Sequence, residues 1–91
     1  MITREFTGSI VGKDGATIYE RVSGTIYVDT SGTLYSWEGV LDVQSGETPW
    51  LFEGFVQTDD GGRGECFGTR CSPPDTVIQF TGSGPAPFDI P

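Results

Sequence analysis

The chain contains no histidine and no asparagine, and only one methionine and one lysine. The missing histidine removes the commonest general base and the commonest transition-metal ligand, and leaves a serine or thiol nucleophile without an imidazole to activate it. Basic residues are scarce as well. Five Lys and Arg stand against thirteen Asp and Glu, and the resulting net charge of −8 opposes contact with a phosphate backbone or an anionic membrane, so neither nucleic acid nor membrane is an expected partner. No apolar run approaches about 18 residues and no basic-then-apolar leader is present, so the sequence offers no transmembrane helix or signal peptide. A cytoplasmic address follows by default, with a mature secreted chain left open.

Cysteine is limited to Cys66 and Cys71, which flank Phe67-Gly68-Thr69-Arg70. Two cysteines with no histidine cannot complete a zinc site. A disulfide across this short stretch in an oxidising compartment and two free thiols in a reducing one are equally open. No metal or cofactor is implied.

What the chain has in quantity is glycine, fourteen in 91 residues. Six of them, Gly8, Gly24, Gly39, Gly54, Gly68 and Gly82, recur every 14 to 16 residues, each inside a run of alternating apolar and polar side chains. Turn-forming stretches separate them: Lys13-Asp14-Gly15, Thr30-Ser31-Gly32, Gln44-Ser45-Gly46-Glu47, Asp59-Asp60-Gly61-Gly62 and Cys71-Ser72-Pro73-Pro74-Asp75. This pattern predicts an all-β domain over residues 1–83, a six-stranded antiparallel meander forming a small closed or nearly closed barrel. A strongly curved sheet or sandwich completed by a second copy is the alternative. The proline-rich residues 84–91 read as a tail, with Phe88 and Ile90 placed to plug one end or, less plainly, to serve as a short peptide ligand.

Alternation divides the side chains between two faces. The glycine face collects Ile2, Phe6, Ile10, Ile18, Val22, Ile26, Val28, Tyr35, Trp37, Leu41, Val43, Trp50, Phe52, Val56, Cys66, Ile78 and Phe80, and is therefore the inside. Glycine at the middle of a core face points to curvature, with neighbouring aromatic rings filling the space its side chain leaves. A two-residue Ser45-Gly46 turn would set Trp37 opposite Gly54 and Phe52 opposite Gly39. A three-residue Asp59-Asp60-Gly61 loop would set Phe52 opposite Gly68.

These registers define the candidate sites. Val40, Leu51, Phe55 and Phe67 form an apolar cluster on the outer face of strands three to five, bordered by Glu38, Glu53 and Glu65. It suits a protein partner or a second copy of the chain. A small apolar-ligand barrel of the calycin type, with its ligand held among Tyr35, Trp37, Trp50 and Phe52, is one alternative. A hydrolase or cation-dependent enzyme that uses Glu38 and Glu53 facing each other is a second.

Overall fold

A computed structural model describes residues 2–32, 35–44, 50–71 and 75–88. Alternating hydrophobicity resolves into six antiparallel strands: β1 (Ile2–Gly12), β2 (Thr17–Asp29), β3 (Ser36–Val43), β4 (Glu53–Thr58), β5 (Arg63–Cys71) and β6 (Val77–Ser83). They close into a barrel in the order β1-β2-β3-β6-β5-β4. Two three-stranded meanders, β1–β3 and β4–β6, are joined along two seams. At one, β3 pairs with β6; at the other, residues 8–12 of β1 pair with β4.

The seams correct one expected register. β3 and β4 follow each other in sequence but do not pair, so Trp37 is not opposite Gly54 and Phe52 is not opposite Gly39. The Ser45-Gly46 turn itself lies outside the described residues, as does Ile90. The following hairpin has the expected form. Gln57 pairs with Arg63, the Gly61 amide donates to the Thr58 carbonyl at 3.1 Å, and Gly61 takes a left-handed φ of 98°, as a three-residue loop closed by glycine requires. The Gly68 amide donates to the Phe52 carbonyl at 2.7 Å, which sets those two residues opposite each other.

Among the described residues, fourteen side chains form one buried core: Phe6, Ile10, Tyr19, Val22, Ile26, Val28, Trp37, Leu41, Val43, Phe52, Val56, Cys66, Ile78 and Phe80. Phe80 stands at its centre, edge-on to Phe6 with ring centroids 6.3 Å apart and to Trp37 at 6.2 Å. Three assignments to the inside are overturned. A register shift on either side of Ile10 sets it opposite Tyr19, which turns Tyr19 into the core and Ile18 out of it. Tyr35 and Trp50 are 51% and 63% exposed because each lies just beyond the strand whose alternation was extended to reach it.

The glycines do two different jobs. A Cβ at Gly82 would press on the Trp37 ring alone, while one at Gly39 would meet the Thr25 carbonyl as well as the Phe80 ring, and one at Gly68 the backbone of Phe52 and Leu51 as well as the Phe52 ring. At Gly8, Gly24 and Gly54 a Cβ would run instead into the backbone carbonyls of Gln57, Val40 and Val11. There the carbonyl comes from the strand paired alongside, next to the residue directly opposite the glycine, and leaves no room for a side chain.

Residues 84–88 fold back over one end. The Trp37 indole N–H donates to the Gly84 carbonyl at 2.9 Å, Pro87 is buried against Gly62 and Gly64, and the Arg4 guanidinium lies 4.8 Å from the Phe88 ring centroid. This segment covers the part of β1 that precedes its pairing with β4. Two prolines that cannot donate to a ladder and a charged Arg4 on the inward-facing register guard a strand edge that would otherwise offer itself for further pairing.

Candidate interaction surface

The barrel register decides which outward residues are neighbours. Across one row run Tyr27, Glu38, Thr81, Phe67 and Glu53, on β2, β3, β6, β5 and β4 in turn. Glu38 and Glu53 are therefore three strand spacings apart, roughly 14 Å, and the facing carboxylate pair does not exist. Val40 is likewise parted from Leu51. It pairs with Gln79 of β6, and its other neighbour is Thr25.

What the fold does bring together is the β4–β5 part of the predicted cluster. Phe67 pairs with Glu53 and Phe55 with Glu65, as expected, which places Phe67 diagonally between Leu51 and Phe55. Leu51 is 57% and Phe67 42% exposed. Phe55 is half-buried beneath the Arg63 guanidinium, 4.2 Å from its ring centroid. Trp50 extends the apolar surface beyond the start of β4, its backbone N–H donating to the Tyr19 hydroxyl at 2.9 Å. Lys13, from the β1–β2 turn, reaches Glu65 at 3.7 Å and Glu53 at 4.0 Å. All three side chains are largely solvated, so this bridge sets local charge more than stability. Lys13 and Arg63 were not found from the sequence, and Trp50 was assigned there to the ligand slot and not to this surface. Lys13 arrives through the β1–β4 seam, which no turn signal marks.

The apolar slot is not assembled. Trp37 is buried against Gly64, Gly82 and Phe80, and Phe52 is buried below β4, while Tyr35 and Trp50 point into solvent. The outer face of β1–β3 carries a different feature, an open concavity of about 440 Å³ lined by Glu5, Phe6, Thr7, Ser23, Gly24, Thr25 and Asp42. At the β4–β5 turn, Thr7 donates to Asp59 at 2.7 Å, while the Thr58 hydroxyl and the Gly62 amide hold the Asp60 carboxyl below its usual range.

The cysteines are separate free thiols. They occupy one strand five residues apart, roughly 16 Å along β5, well beyond disulfide reach. Burial pushes the Cys66 thiol from 9.0 up to about 12, while Cys71 is only half-buried. Native protein at pH 8 is thus expected to release about one equivalent of colour with a disulfide reagent, and two in denaturant; two in both would place Cys66 at the surface. The raised pKa also fixes a sign. Above about pH 9 the unfolded chain binds fewer protons than the native one, so the thiol's contribution, complete below that pH, is lost as the pH climbs towards 12.

Comparison with known proteins adds no relation: no family model matches the chain, and no curated protein or solved structure matches it. What fold and surface define is a closed six-stranded barrel with an aromatic-filled core and, beside the charged groups of β4–β5, the exposed side chains of Leu51 and Phe67.

Proposed function

We propose that this chain is a non-enzymatic interaction module that binds a protein partner through the outer face of β4 and β5. The observation that carries the reading is the exposure of Phe67 on β5 and of Leu51, two residues ahead of β4, at the same side of a closed barrel. A partner would meet a rigid surface whose ordering costs little on binding, with Phe55 and its Arg63 at the margin. Glu38 and Val40, on β3, lie outside it.

Immobilised parent and variants, compared for partner capture, test this. Phe67→Ser and Leu51→Ser are expected to keep the far-ultraviolet spectrum and to lower capture about tenfold or more, since removing a central apolar anchor commonly costs over 1 kcal/mol. Val40→Ser should capture as the parent does. Capture unchanged by either β4–β5 substitution would overturn the proposal.

A further inference from the structure

We infer that the occupant of this face is a second copy of the same chain, paired across a two-fold axis; the inference rests on the interaction reading above. Its basis is the distribution of charge. At −8, two copies repel over most of their surfaces. The β4–β5 face is the exception. Three of the five basic residues, Lys13, Arg63 and Arg70, lie on or beside it, against two outward strand carboxylates, Glu53 and Glu65. Asp59 and Asp60, in the turn at its end, accept from Thr7 and Thr58 and keep their charge, so the face carries about −1 of the chain's −8. Arg4 is taken up by Phe88 at the barrel end, and Arg21 is on β2.

The apolar side chains thus coincide with the place where another −8 molecule meets the least repulsion. An isologous contact presents this mixed-sign face to itself, so each copy's Glu53 and Glu65 meet the other's cations. A strongly basic partner, which the rest of the surface would attract, finds cations already bordering the Leu51–Phe67 surface. Two strands and their flanks are a small interface, so the dimer is weak, with a dissociation constant of roughly tens to hundreds of micromolar.

The salt dependence is distinctive. Attraction is local and mostly apolar, while repulsion comes from charges spread over the whole body and is screened as the Debye length falls from about 30 Å at 0.01 M to about 8 Å at 0.15 M. Dimerisation should therefore tighten with salt, whereas docking of a basic partner would weaken.

Sedimentation equilibrium on the full chain, from about 10 μM to 1 mM at low and at near-physiological salt, reads this directly. The mass is expected to rise from 9.8 kDa towards twice that value, with association at least about fivefold tighter at the higher salt. Phe67→Ser should weaken association about tenfold or more, and Leu51→Ser serves equally should the first fail to fold. Val40→Ser should follow the parent curve. A mass of 9.8 kDa under all conditions, association that weakens with salt, or a dimer indifferent to both β4–β5 substitutions overturns the inference. A monomeric parent whose capture of a different protein is still lost on Phe67→Ser would sink the second-copy assignment and leave the interaction reading standing.

Discussion

Gly24→Ala, the addition of one methyl group, is expected to cost about 3 kcal/mol or more and to lower the thermal midpoint by at least about 12 °C. The new Cβ would overlap the Val40 carbonyl, with the Leu41 Cα 2.8 Å away. These are backbone atoms of β3, held by pairing to β2 on one side and β6 on the other, so no rotamer change can relieve the contact. A domain of this length has a total stability of roughly 5–14 kcal/mol, so the loss is a large part of it. Gly61→Ala is the control, because nothing lies within 4 Å of its Cβ. Only the left-handed φ of 98° opposes that change, and about 1 kcal/mol is expected. Equal midpoint shifts for the two, measured by calorimetry, would mean that conformational freedom and not the neighbouring strand's carbonyl fixes glycine at position 24.

The other large effect is expected at Trp37. Its ring covers Gly82 and Gly64, meets Phe80 edge-on and anchors the C-terminal segment through the Gly84 carbonyl. Trp37→Ala should cost about 3–5 kcal/mol through the cavity it leaves. It should also release residues 84–88, whose Pro87 packs beside the same ring over Gly64. Trp37→Phe separates the two roles. It keeps an aromatic filler but loses the N–H donor, so a smaller fall in midpoint should accompany faster chymotryptic cleavage after Phe88 than in the parent. Cleavage at the parent rate in both variants would show that the segment is held by Arg4 and Pro87 alone.

The all-β class and most of the core were legible because alternation reports faces directly. Val22, Ile26, Val28, Leu41, Val56, Ile78 and Phe80 are buried as their parity requires. The β4–β5 register was legible because its turn is local, and Gly61 supplies the left-handed residue that the loop needs. The seams were not. Pairing of β3 with β6 and of β1 with β4 joins residues far apart in sequence, with no turn chemistry between them to announce it. A Ser-Gly dipeptide between β3 and β4 suggested a hairpin in its place, and every site drawn on that hairpin, from the Glu38–Glu53 pair to the Val40–Leu51 contact, went with it. Parity failed at Ile18 and Tyr19 because a bulge resets it, and at Tyr35 and Trp50 because no strand exists there to carry it.

The joining of two meanders along distant seams bears on how the barrel is acquired. Each half can zip up hairpin by hairpin, yet each then exposes one apolar sheet that only the other half covers. Both seams need chain segments separated by some thirty residues or more to meet, so loop-closure entropy must be spent before any shared core is gained. Folding should accordingly be slow for a chain of this length and should proceed as one cooperative step, with docking of the two halves as its barrier.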